Sequence, residues 1–193
     1  MKNVLFIATH LHSGHDILTN SLNQNERIDL KNQRLMYEHP EVLNHLFSFK
    51  HKNPNSASIY GDLLLNNKDF TCKSFYKFAK FIFLIRKPEE TLPLILINDK
   101  NYTQETAYMY YSFRLRRLYE MAFEIKNFIF LKYDDLILNK KNNIKEYLKL
   151  NEEIEFTFNS DQITPFVNVN PLIINKANKC YEKYLYKINQ LSL

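Results

Sequence analysis

The densest chemistry in the chain lies in one short stretch, Thr9-His10-Leu11-His12-Ser13-Gly14-His15-Asp16. It follows the apolar run Val4 to Ala8 and precedes a helical pattern. A strand that ends in a Ser-Gly turn and runs into a helix aims backbone N–H groups at one point, and the helix dipole favours negative charge there. His10, His12 and His15 crowd the same loop. An imidazole donates to phosphate or sulfate oxygens, and an adjacent anion helps hold it protonated. Ser13 is placed to cap the helix. A second anion-seeking group is Arg86, which follows the apolar run Phe81 to Ile85. Its guanidinium fork suits bidentate binding of a phosphate. Asp62, directly after Gly61, is a carboxylate able to accept a proton. Gly14 and Gly61 are the only two glycines. Both fall at the carboxyl end of an expected strand, the edge at which open α/β sheets bind ligands.

Those groups need a sheet to hold them. Val4–Ala8, Ala57–Gly61, Phe81–Ile85 and Asn127–Leu131 read as strands, the clearest of them continuous apolar runs as expected when both faces are covered. The helix after Gly14 turns Ile17, Leu18 and Leu22 inward. Residues 23 to 55 are polar and predict one or two short helices among loops, and residues 70 to 78 a short helix or loop. Pro88 with Glu89 and Glu90 starts a helix after Arg86, and Pro93 predicts a bend in it or a delayed start. Ala107, Tyr111, Leu115, Leu118, Ala122 and Ile125 recur at helical spacing and predict a long helix over 103–125. Tyr133-Asp134-Asp135-Leu136 opens a helix reaching about Leu150. Residues 151 to 170 look irregular. Asn170-Pro171 opens a last helix with the inner stripe Ile173, Ala177, Cys180, Tyr184 and Ile188. This alternation implies an α/β fold of three layers, a mostly parallel doubly wound sheet with helices on both faces, in a single domain over residues 1–193.

Composition fits that picture. The chain has 193 residues, 45% hydrophobic and 24% charged, which is ordinary for a globular domain. The net charge of +5 favours an anionic partner. The basic residues are spread out, with no helix read as a basic stripe interleaved with aromatics, so nucleic acid is not expected. Cys72 and Cys180 lack the spacing of a zinc or redox pair and read as buried thiols of a reducing compartment. No run approaches the ~18 apolar residues of a membrane span. The apolar run after Met1-Lys2-Asn3 is too short for a signal peptide, and a cytoplasmic location is expected.

The first loop is not that of the nucleotide hydrolases, since no lysine follows Gly14. Leu11-His12-Ser13-Gly14-His15-Asp16 instead resembles the Pro-Lys-Ser-Gly-Thr-Thr loop of the sulfotransferases that use 3′-phosphoadenosine 5′-phosphosulfate. Ile85-Arg86-Lys87-Pro88 resembles that family's Ile-Arg-Asn/Asp-Pro. Gly61-Asp62-Leu63-Leu64-Leu65-Asn66 resembles the Gly-Asp stretch that often follows its second strand, and Tyr133-Asp134-Asp135-Leu136 its Tyr-Glu-Asp-Leu. The likeness spans roughly residues 2 to 150. It departs at three places. His12 replaces the loop lysine, His15-Asp16 replaces the threonine pair, and Leu94 replaces the serine that usually meets the 3′-phosphate. No Arg-Lys-Gly loop is present near the C-terminus, where Lys176 and Lys179 are the basic residues available.

The resemblance implies in-line transfer of a sulfuryl group from 3′-phosphoadenosine 5′-phosphosulfate to an acceptor hydroxyl, with a carbohydrate as the first choice of acceptor and no metal required. His12 would stabilise the leaving group as an imidazolium. His12, Ser13, Gly14, His15 and Asp16 would form the 5′-phosphate loop, Arg86 would take the 3′-phosphate, and Asp62 would be the general base. Glu38, His39, Glu41 and His45 lie in the stretch expected to wall the acceptor. Two other functions remain open: a protein that keeps the fold and binds without catalysis, and a nucleotide or metabolite kinase with an atypical phosphate loop.

Overall fold

The computed structural model describes residues 4–30, 59–65, 73, 75–125, 127–138, 143–156 and 167–191. Glu38, His39, Glu41, His45 and Cys72 lie outside the described residues, as do the helices predicted within 31–55. Five strands, β1 (Val4–Thr9), β2 (Ile28–Leu30), β3 (Ile59–Leu64), β4 (Lys80–Ile85) and β5 (Phe128–Lys132), form one sheet in the order β2-β3-β1-β4-β5. Every pairing is parallel, with Leu5 opposite Gly61 and Thr9 opposite Leu84. At Gly61 the strands run so close that a Cβ would lie 1.7 Å from the Leu5 carbonyl oxygen. Only glycine fits that contact.

The helices are α1 (His15–Asn23), α2 (Pro88–Asn98), α3 (Gln104–Glu124), α4 (Tyr133–Ile137), α5 (Ile144–Leu148) and α6 (Pro171–Leu191). Strand residues alternate between two cores, as the period of two requires. Phe6, Ala8, Phe81, Phe83 and Ile85 pack with Leu92 of α2, Leu115 and Leu118 of α3 and Ala177 of α6. Leu5, Ile7, Ile82 and Leu84 pack with Leu18 and Leu22 of α1, Leu136 of α4 and Ile144 and Leu148 of α5. Burying each large apolar side chain contributes roughly 1.5–3 kcal/mol before conformational entropy is subtracted. The result is the three-layer, doubly wound α/β architecture. Among the described residues no helix is long and apolar enough to cross a membrane.

Several elements differ from the sequence expectation. β2 lies in the stretch predicted as helix and loop. It is three residues long, and Asn23 anchors it by accepting from the Leu30 N–H and donating to the Leu30 carbonyl. β3 continues through Gly61-Asp62 to Leu64 instead of ending at them. α2 begins at Pro88 and runs on through Pro93. The proline forgoes the bond to the carbonyl of Glu89, the exposed residue of the first turn. The helix predicted from Tyr133 to Leu150 is two short helices, α4 and α5. α3 matches its prediction, with Thr103 and Thr106 capping one another reciprocally. In α6 the buried stripe is Ile173, Ala177, Tyr181 and Ile188, while Cys180 and Tyr184 are half-buried. α6 also carries Lys176, Lys179, Lys183 and Lys187 beside Tyr186, a basic stripe that the sequence reading overlooked.

Candidate functional site

In a parallel sheet the carboxyl ends of the strands form one rim. β1 delivers Thr9 and the loop 10–14 there, and β4 delivers Arg86. Two backbone twists shape the loop. His12 has φ 56°, unusual for a side chain with a Cβ, and Gly14 has φ 89°. Gly14, not Ser13, is the N-cap of α1, and no side chain caps the helix. The first-turn amides of α1 therefore have no acceptor within the helix. Gly14 is required twice over. Its φ is left-handed, and a Cβ there would lie 2.3 Å from Cδ2 of Tyr133.

The loop side chains turn inward more than the sequence suggested. Ser13 is fully buried. Its hydroxyl is hydrogen-bonded to the Thr9 hydroxyl and to Nδ1 of His15, the latter at 3.3 Å. Thr9 also donates to the Leu84 carbonyl at 2.6 Å. His15 is buried, with Nε2 3.5 Å from the Asp16 carboxylate. Asp16 itself stands exposed in the first turn of α1, where the dipole favours a carboxylate.

His10 corrects an expectation outright. It does not face an anion, because it is fully buried. Its Nε2 accepts the Arg86 N–H at 3.0 Å, and Nδ1 donates to the Leu11 carbonyl at 2.9 Å. A backbone amide can only donate, so Nε2 carries no proton and the ring is neutral. Desolvation pulls its pKa down to about 3, with smaller lowering contributions from Arg114, His15 and Arg86. His10 is the clasp between the β1 loop and the end of β4.

Arg86 is nearly buried at the same rim. Its Nε donates to Glu90 at 2.7 Å, its Nη1 donates to the His12 carbonyl at 3.3 Å, and its guanidinium lies 3.9 Å from the Tyr133 ring centre. Tyr111 donates to the Arg86 carbonyl at 2.7 Å. The loop, Arg86 and Tyr133, which came from three separate motifs, thus meet in one cluster. Beside it Lys87 pairs with Asp134 at 2.6 Å.

Asp62 is not part of this cluster. It sits inside β3 opposite Phe6, two positions short of the strand's end, and is 4% exposed. Its Oδ1 accepts the Leu63 N–H at 2.7 Å. The structure thus does not bring Asp62 together with the loop and Arg86. The placement follows from Leu63 and Leu64, which continue the strand's apolar run past the Gly-Asp pair.

Arg114 was missed. It is fully buried on α3 and donates to the Thr9 carbonyl at 2.7 Å and the Leu64 carbonyl at 2.6 Å. The cation therefore sits directly beneath the rim, held by the carbonyl ends of β1 and β3. Its position was visible in the sequence as an arginine within the stripe Tyr111, Leu115, Leu118. Tyr110 was missed too, and its hydroxyl accepts the Leu11 N–H at 3.0 Å. Leu94 is half-buried on α2 and offers no side-chain donor. Lys176 and Lys179 are exposed on α6.

No protein-family model matches the sequence, and no curated protein is similar to it. Solved structures are similar in fold. A sulfotransferase from Alicyclobacillus acidocaldarius has a TM-score of 0.62 at 12% identity, over 100% of this chain and 96% of the other. The sulfotransferase domain of the Synechococcus PCC 7002 olefin synthase has a TM-score of 0.60 at 12% identity, over 100% and 96%. Mouse sulfotransferase SULT7A1, complexed with PAP, has a TM-score of 0.57 at 14% identity, over 98% and 85%. The match covers the whole domain, so the architecture, and not an isolated motif, is shared.

Proposed function

We propose that this chain, which has the fold of the sulfotransferases, transfers a sulfuryl group from 3′-phosphoadenosine 5′-phosphosulfate to a hydroxyl acceptor, a carbohydrate by preference. One observation carries the reading: the open N-terminus of α1 and the Arg86 guanidinium meet at one rim, joined by the 3.3 Å contact to the His12 carbonyl. The residues there fit an anionic donor. The α1 amides and dipole supply a phosphate site, and buried Arg114 adds positive charge beneath it. Among the described residues Arg86 gives Nε to Glu90 and one Nη1 N–H to the His12 carbonyl, so its other N–H groups, chiefly those of Nη2, are the donors offered to the 3′-phosphate.

When bound, the donor would supply the sulfuryl group and leave as adenosine 3′,5′-bisphosphate as its bridging S–O bond breaks, while the acceptor hydroxyl loses its proton to solvent. The chain's own contribution is positioning and charge. The α1 amides hold the 5′ side, and the His12 imidazole, as a cation, neutralises charge on the leaving oxygen. Tyr133 keeps Arg86 in register by stacking on it while packing over Gly14. The Lys87–Asp134 pair ties the start of α2 to α4. Asp62, two positions short of the end of β3, is left out of this scheme.

The buried Ser13 hydroxyl and Leu94 support a second reading, a protein that binds the nucleotide without transferring. An assay of adenosine 3′,5′-bisphosphate release from the donor, with an oligosaccharide acceptor, separates the two. Transfer is expected from the parent. Arg86→Ala is expected to lower kcat/KM by roughly a hundredfold, and His12→Ala to lower kcat more than it raises KM. Nucleotide binding without turnover would select the second reading, and equal activity in both variants would overturn the site assignment.

A further inference from the structure

α6 exposes a row of like charges for which the described residues supply no ion-pair partner. Lys176, Lys179, Lys183 and Lys187 are spaced three, four and four residues apart. At about 100° per residue they share a sector of roughly 80° and run for roughly 16 Å along the helix. Lys176, Lys179 and Lys183 are exposed and Lys187 is half-buried over the Tyr119 ring, 4.9 Å from its centre. Among the described residues none of the four forms an ion pair. Other surface lysines do: Lys73 with Glu124, Lys87 with Asp134 and Lys145 with Glu153. Like charges three and four apart on a helix repel one another, and the helix's single acid, Glu182, falls outside the sector. Leu172 and Tyr186, 69% and 65% exposed, flank the row with apolar surface.

We propose that this face of α6 is a docking surface for an acidic polysaccharide. A single row of cations, one per helical turn, matches a thin linear polyanion, and Tyr186 offers a flat ring against which a sugar can lie. A duplex would call for a wider basic surface. A membrane would call for the helix's apolar stripe to face outward, whereas Ile173, Ala177, Tyr181 and Ile188 face the core. That the docked polymer is the acceptor rests on the transfer reading above. The docking itself does not.

The test is a titration of the full chain with a size-defined heparin oligosaccharide, beside single-stranded RNA of similar charge and vesicles of anionic lipid. The oligosaccharide is expected to bind best, with affinity falling as salt rises. K176Q/K179Q/K183Q/K187Q is expected to weaken it by roughly tenfold or more and to flatten the salt dependence. Lys145→Gln, on the helix that packs against the opposite face of the sheet and ion-paired in the parent, is expected to leave it unchanged. The proposal is overturned if the quadruple variant binds as the parent does, or if RNA or vesicles bind more tightly. Oligosaccharide binding by a chain that does not bind adenosine 3′,5′-bisphosphate would uphold the docking surface and remove the transfer reading.

Discussion

At the scale of single residues, the side chains around the loop act chiefly as fasteners. His10 shows this in a measurable form. Its folded pKa of about 3 lies below the ordinary value of 6.5, so between those values the unfolded chain binds the proton and the folded chain does not. Stability is then present above the unfolded pKa and falls as pH drops toward the folded one. Urea unfolding is expected to lose roughly 2 kcal/mol between about pH 7.5 and pH 5 on this account. His10→Gln should lack that portion of the slope, and a slope equal to the parent's would contradict the clasp. The roles of His10, Ser13 and Asp62 were not legible in the sequence, because polarity does not reveal whether a side chain points to solvent or bonds its own backbone. Arg86 and Gly14 were legible. Both needs, a donor fork at a strand end and a left-handed φ at a helix start, are tied to residue type.

At the scale of elements, the long apolar runs of β1, β4 and β5 announced themselves, since a strand covered on both faces has no polar alternation to hide in. β2 did not. Ile28-Asp29-Leu30 is too short to carry a period and sits in a polar stretch, and pairing with β3 makes it a strand. α3 was legible through its apolar stripe, and its start is fixed by Thr103, whose hydroxyl accepts the Thr106 N–H at 3.2 Å. This cap matters to function because α3 carries Tyr110, Tyr111 and Arg114 to the rim. Thr103→Ala is expected to cost about 1 kcal/mol, read from denaturant unfolding. A cost near zero would show that the α3–α6 packing alone fixes that end. Arg114 stood in view beside Leu115 and was passed over, because a helix stripe read for apolar residues skips a cation whose bonds to the Thr9 and Leu64 carbonyls only the fold reveals.

At the scale of the whole molecule, the crossing from β1 to β4 through adjacent strands is what lets residues 70 or more apart share one contact, as Arg86 and His12 do. Four motif pieces scattered over the chain predicted that convergence, and three of them, the loop, Arg86 and Tyr133, meet. The fourth, Gly61-Asp62, lies in the neighbouring strand below the rim. A nucleotide-sized anion is therefore expected to bind where α1, β4 and Tyr133 come together. Isothermal titration of the parent and of Gly14→Ala with adenosine 3′,5′-bisphosphate addresses it directly. Saturable binding by the parent is predicted, with loss of it in Gly14→Ala, whose new Cβ must displace Tyr133. No heat of binding from the folded parent at millimolar nucleotide, or equal affinity in the two proteins, would contradict it.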